Sequence, residues 1–128
     1  MKTIGIGVDI VDNKRIKILL KNKRFISRSF SKKEIHNSKK YFNKTNFFSK
    51  RFAAKESLAK ALGTGFRNNL NLKDIEIVND KLGKPHYLVN SKVENLIRIK
   101  KKTKKFQLFL SISDEKDYSV AFTVIQKI

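Results

Sequence analysis

Ile4, Ile6, Val8 and Ile10 alternate with Gly5, Gly7, Asp9 and Val11. A period of two is that of a strand with one greasy face. The other face carries two glycines before Asp9. Glycine removes side-chain bulk there, so another backbone or a ligand must be able to come close. Asp9 looks out on the same side as Gly5 and Gly7, which leaves room for a ligand beside it.

The clearest helix runs from about Phe47 to Leu62. Phe48, Phe52, Ala59 and Leu62 supply its buried side, and Ala53, Ala54 and Ala59 keep it slim. Gly63 and Gly65 stop it. Asp12 is an N-cap for an earlier helix reaching roughly Asn22, with Ile16, Leu19 and Leu20 as its apolar stripe. Ser31-Lys32-Lys33-Glu34 and Ser91 to Glu94 both read as capping boxes. The first opens a short helix to about Phe42; after the second, Val93, Leu96 and Ile97 mark another. Ile75 to Val78 and His86 to Val89 are short strands across the turn Asn79 to Pro85. Phe106 to Ser113 and Tyr118 to Ile125 alternate again, with Asp114 to Asp117 as the loop between them. Arg98 to Lys105 is a basic run, read as a solvated loop or frayed helix end. The sum is an α+β chain, an antiparallel sheet with helices packed on one side. At 128 residues it is a single domain, 1–128.

Composition narrows the function classes. No cysteine is present, so neither a disulfide framework nor a cysteine metal site exists. No apolar run reaches the roughly 18 residues that span a bilayer. No signal-peptide pattern opens the chain, so a cytoplasmic protein is expected. The net charge of +19 attracts anions, whether nucleic acid, anionic lipid, nucleotide or acidic protein. Lysine outnumbers arginine 24 to 6, which an AT-rich coding sequence would also give.

Asp9 and the pair Glu56 and Lys60 carry the chemistry. A strand-end aspartate is most often a turn former, but Asp12 already fills that role. Glu56 and Lys60 are one helical turn apart, the spacing of an ordinary surface ion pair. Spacing alone leaves that reading open. Two acids and a lysine can also hold a divalent cation against a diphosphate, and Mg²⁺ takes carboxylate oxygens, waters and phosphate oxygens. His36 and His86 have no ligand-like spacing. Ser111 and Ser113 have no triad around them. Gly63-Thr64-Gly65 is too short for a P-loop.

Taken in order, Gly5 to Val11, Lys14-Arg15-Ile16, Arg51 to Gly65, Asp74 to Ile77, Leu82 to Pro85 and Ser111 to Tyr118 resemble the signature of the holo-[acyl-carrier-protein] synthases. These are the short bacterial 4'-phosphopantetheinyl transferases. The resemblance covers nearly the whole chain. It implies transfer of the phosphopantetheine arm of coenzyme A to a serine of apo acyl carrier protein, dependent on Mg²⁺. The by-product would be adenosine 3',5'-bisphosphate, the role fatty acid biosynthesis, and the assembly a homotrimer with active sites between subunits. By the same resemblance Asp9 and Glu56 are the metal carboxylates. Glu56, directly or through a metal-bound water, is the base, and Lys60 neutralises the breaking diphosphate. Arg51 holds a coenzyme A phosphate. Gly65, Gly83, Lys84, Pro85, Ser111 and Ser113 line the nucleotide site. Arg15, Ile18, Lys21, Arg24, Phe25 and Arg28 form the docking surface for the acidic carrier. Phe109 stands where members commonly carry histidine, which predicts weaker nucleotide binding with the chemistry intact. No membrane or nucleic-acid partner is expected. Two readings compete with this one: a non-enzymatic basic module that binds nucleic acid, and a pseudo-enzyme that keeps only the docking helix.

Overall fold

The computed structural model describes residues 1–65 and 70–128. The elements are β1 (Lys2–Asp12), α1 (Asn13–Leu19), α2 (Lys23–Ser29), α3 (Lys32–Ser38), α4 (Lys44–Leu62), β2 (Ile75–Asn79), β3 (Pro85–Val89), α5 (Ser91–Lys101), β4 (Phe106–Asp114) and β5 (Tyr118–Lys127). A single 3-10 turn, Leu72–Asp74, precedes β2. The main sheet has the order β1-β5-β4, antiparallel throughout, and β2-β3 form a separate hairpin. This is the expected α+β arrangement, with α4 laid across one face of the main sheet.

Backbone proximity decides which face α4 takes. A Cβ built on Gly7 would lie 2.0 Å from the Ser57 carbonyl oxygen and 2.6 Å from the Ala61 nitrogen. One built on Gly5 would lie 2.5 Å from the Ala61 carbonyl oxygen. The glycine stripe is therefore where a helix backbone rests on the strand, and the space expected for a ligand at Gly5 and Gly7 is filled by α4. The aliphatic stripe faces the other way: Ile6, Val8 and Ile10 are 62%, 54% and 63% exposed. Register puts Val120, Phe122, Val124 and Phe109 on that same outer face.

The core gathers around α4, between it, the main sheet and the flanking elements, and is built on Phe30, Phe47, Leu58, Leu62, Ile75, Ile97 and Ile125. Phe48, Phe52, Ala59 and Leu62 are buried as expected. Gly63 ends α4 at φ +81°, its N–H donating to the Ala59 carbonyl. The Ser31–Glu34 capping box forms in both directions. Elsewhere the boundaries differ from expectation. The first helix stops at Leu19 because the Asn22 side chain accepts from the N–H groups of Arg24 and Phe25 and starts α2. The Asn43 side chain starts α4 three residues early, at Lys44. Asn90, not Ser91, caps α5, accepting from the Val93 N–H. The basic run is helical through Lys101 and turns out of the helix at Lys102, φ +51°.

Gly7→Ala tests the contact that orients the sheet. The clash is with backbone atoms, which cannot rotate away, so a loss of about 1–3 kcal/mol or more is expected. Thermal melts read it directly, with Gly63→Ala as the contrasting case of φ strain without a steric neighbour.

Candidate active site

Asp9 sits on the helix side of β1, opposite Ala121, the small residue of β5 at that register. Lys60 Nζ donates to Asp9 Oδ1 at 3.0 Å, joining residues 51 positions apart. Glu56, one turn before Lys60, is half-buried. Its carboxyl is pushed above the usual range, first by burial and second by the negative charge of Asp9; Lys60 and Arg15 pull it back. Asp9, Glu56, Lys60 and Arg15 therefore share one electrostatic site.

The donor set suits a hard cation. Two carboxylates repel each other across a half-buried site, and a divalent ion between them would relieve that repulsion. No cluster of three or more histidine, cysteine or acidic ligands exists among the described residues. A cation held here would keep open positions for water and phosphate oxygens, as Mg²⁺ does.

A second feature lies one and a half turns earlier on α4. Arg51 is buried, with its guanidinium stacked 3.5 Å from the centroid of the Phe47 ring. Nη1 donates to the Phe47 carbonyl at 3.2 Å, and Nε has no partner. Burial lowers its pKa. Among the described residues no carboxylate pairs with it. A buried cation with donors to spare is an anion receptor. It opens on a cavity of about 130 Å³ that Lys50, Asn79, Gly83, Pro85, Ile112 and Asp114 also line.

The structure brings some expected nucleotide residues to this cavity and leaves others apart. Gly83 and Pro85 line it, and exposed Lys84 lies between them, its N–H on Asp80 Oδ1 at 2.9 Å. Gly65 lies beyond the C-terminus of α4, on the order of 15 Å along the helix axis from Arg51. Ser111 and Ser113 point to the outer sheet face with Phe109 and Phe122, while Ile112 between them faces the cavity. Within one chain those two serines cannot reach an anion on Arg51. Sequence reasoning missed Lys50, Asn79 and Asp114. Asp114 accepts a hydrogen bond from the Asn46 amide across 68 residues, and no local pattern signals such a pair.

The expected docking residues lie on α1, on α2 and on the connection between them. Arg15, Ile18, Lys21, Arg24 and Arg28 are exposed. Phe25 is half-buried against Phe30 and Phe52, with ring centroids 6.1 and 5.8 Å away. Arg24, Phe25 and Arg28 border a groove of about 710 Å³ floored by Phe52 and Leu70. Arg15, one of the expected docking residues, also contributes to the field around Glu56. His86 pairs with Asp80 at 3.2 Å, and exposed His36 lies on α3.

Glu56→Gln predicts a pH-dependent change in stability. A carboxyl whose folded pKa is raised costs stability once it ionises, so the cost is absent below its unfolded value and complete above its folded one. In chelator, Glu56→Gln should melt above the wild type at pH 7. The two curves should converge as pH falls below about 4.3, the ordinary glutamate value.

The comparisons with known proteins identify the family. Residues 5–123 match the family model described as the 4'-phosphopantetheinyl transferase superfamily. A holo-[acyl-carrier-protein] synthase of Pelagibacter ubique is 58% identical over 127 residues, 99% of each chain. One from Ehrlichia chaffeensis is 45% identical, over 95% of each. Among solved structures, the holo-[acyl-carrier-protein] synthase of Neisseria meningitidis superposes with a TM-score of 0.87 at 36% identity, covering 98% of this chain and 99% of that one. That of Bacillus anthracis, in complex with CoA (3',5'-ADP), gives 0.83 at 32% identity over the whole of both chains. With these matches spanning nearly its full length, the chain belongs to the 4'-phosphopantetheinyl transferase superfamily.

Proposed function

We propose that this protein is a holo-[acyl-carrier-protein] synthase. It moves 4'-phosphopantetheine from coenzyme A to a serine of apo acyl carrier protein and so supports fatty acid biosynthesis. The observation that carries this is the meeting of Asp9, Glu56 and Lys60, with a buried Arg51 earlier on the same helix that no carboxylate pairs among the described residues. A nucleic-acid module has no use for two clustered carboxylates. Both substrates, coenzyme A and carrier protein, argue for work in the cytoplasm.

Asp9 and Glu56 would hold Mg²⁺, which supplies charge neutralisation to the diphosphate when bound. The carrier serine oxygen attacks the β-phosphorus of coenzyme A, the one bearing the pantetheine arm. The new O–P bond forms as the bond to the bridging oxygen breaks, and adenosine 3',5'-bisphosphate leaves. The serine proton passes to Glu56, whose carboxyl burial and the charge of Asp9 make more basic than a free glutamate. Lys60 exchanges its contact with Asp9 for the charge growing on the leaving phosphate. Arg51 holds a phosphate of the nucleotide, with Gly83, Lys84 and Pro85 as the wall of that subsite. The acidic carrier docks on Arg15, Ile18, Lys21, Arg24, Phe25 and Arg28, which steers its serine toward Glu56.

The working assembly is a homotrimer. The outer face of Ile6, Val8, Ile10 and Phe122 is too apolar to stand in water without consequence. A neighbouring copy covering it would bring that face's Ser111 and Ser113 toward another chain's Arg51 cavity. A head-to-tail contact of this kind closes into a ring.

Incubation with coenzyme A, Mg²⁺ and apo acyl carrier protein should add one phosphopantetheine to the carrier, read by mass spectrometry. Asp9→Ala and Glu56→Ala should each slow transfer by about 10²–10³-fold; a wild-type rate in either would remove the metal assignment. Val8→Lys should yield monomers in analytical ultracentrifugation and lose transfer, because the single chain tolerates lysine at an exposed site. A trimeric Val8→Lys would place the interface elsewhere.

A further inference from the structure

The wall of the nucleotide cavity is not built by any continuous sheet. Lys50 and Arg51 come from α4, Ile77, Asn79, Gly83 and Pro85 from the β2-β3 hairpin, and Ile112 and Asp114 from β4. The hairpin has no hydrogen-bonded ladder to the main sheet. Its distance from Arg51 therefore depends on side chains.

Two polar side chains fix it. Tyr87, two residues beyond Pro85 on the same face of β3, sends its hydroxyl into the layer between α4 and β5. There it donates to the Ala54 carbonyl at 2.6 Å, lies 2.7 Å from Thr123 Oγ1 and 3.3 Å from Ser57 Oγ. Ser57 and Thr123 bond each other at 2.6 Å, which closes the network. Burial pushes the Tyr87 hydroxyl up to about 12, so it keeps its proton and remains a donor. Lys55, one helical turn after Arg51, is the second. Its fully buried ammonium bonds Glu34 Oε1 at 2.6 Å and the carbonyls of Leu72 and Ile75 at 2.9 and 2.7 Å. Three acceptors satisfy its three protons. Glu34 in turn accepts from the Ile77 N–H at 3.2 Å and from the Ser31 N–H at 3.1 Å.

We propose that Tyr87 and the Lys55–Glu34 pair are positioning residues for nucleotide binding. They hold the β2-β3 hairpin at the separation from α4 that lets Gly83 and Pro85 close on a phosphate held by Arg51. Each anchor sits one step from a cavity wall, so a slip at the anchor becomes a wider cavity. Neither touches the cation site, so the chemistry at Glu56 and Lys60 is left in place. This rests on the transferase reading above.

Tyr87→Phe separates the role from bulk packing, because the ring stays and only the hydroxyl goes. The KM for coenzyme A should rise three- to tenfold, with kcat and the carrier KM within twofold of wild type. Calorimetric titration with adenosine 3',5'-bisphosphate should show the same weakening without turnover. Glu34→Gln, which keeps the shape but removes the charge facing Lys55, should shift the same two readouts. Ile125→Val, in the core at the far end of β5, controls for lost stability and should lower Tm with both readouts unmoved. A Tyr87→Phe variant that loses Tm but keeps its coenzyme A KM and nucleotide affinity would overturn the proposal, as would a fall in kcat at constant KM. Wild-type protein that binds the bisphosphate yet transfers nothing would instead sink the assigned reaction, and the titration would still decide the role of Tyr87.

Discussion

Everything at the site depends on the contact between the α4 backbone and the bare stripe of β1. Strand and helix approach so closely at Gly7 that even a methyl group would overlap the Ser57 carbonyl. Two glycines without catalytic chemistry thus seat α4 on β1, in the arrangement where Lys60 reaches Asp9 at 3.0 Å. They also choose the side: Asp9 follows Gly5 and Gly7 by strand periodicity, so the close approach and the acid share a face.

From that contact, the rotation of α4 distributes its charged side chains between two surroundings. Arg51 and Lys55 lie on one row, toward the hairpin and core. Glu56 and Lys60 lie on the next, toward the rim of β1. Lysines five residues apart consequently have opposite fates. Lys55 is locked against Glu34 and two carbonyls, while Lys60 is over half exposed with one light contact. The first cannot move without breaking the core, and the second can change partners during a reaction. Sequence position alone assigns them the same motif; burial separates structure from chemistry.

Local patterns were enough to read the α+β class, α4 with its glycine stop, the Ser31 capping box and the hairpin turn. Residue chemistry raised a cation site shared by Asp9, Glu56 and Lys60, and the resemblance favoured it over a surface ion pair, which spacing could not do because Glu56 lies 47 positions beyond Asp9. What was not legible has physical causes. The aliphatic stripe of β1 reads as a core face, since periodicity reports which residues share a side and not which side is covered. Asparagine caps at Asn43 and Asn90 moved two helix starts, and the one at Asn22 opened a helix that the apolar pattern did not mark, because a side-chain oxygen competes locally with that pattern. Asp114, Asn79 and Lys50 gather at the cavity only through tertiary packing.

The outer sheet face then has a coherent physical meaning. A strand with aliphatics on one side and glycines on the other has buried its bare side and left its greasy side to water. That is unfavourable for an isolated domain, since apolar area gains from leaving water. The same face carries Ser111, Ser113 and Phe109, three of the positions that the family resemblance connects with coenzyme A. One chain keeps them on the wrong side of its own sheet from Arg51, with Ile112 and the rest of β4 in between. On the assembly proposed above, a neighbouring copy would resolve both difficulties at once: it would cover the exposed aliphatics and would bring Ser111 and Ser113 to a second chain's Arg51 cavity. Assembly and nucleotide binding would then be thermodynamically linked, so that a change weakening the outer face would also weaken the hold on the nucleotide.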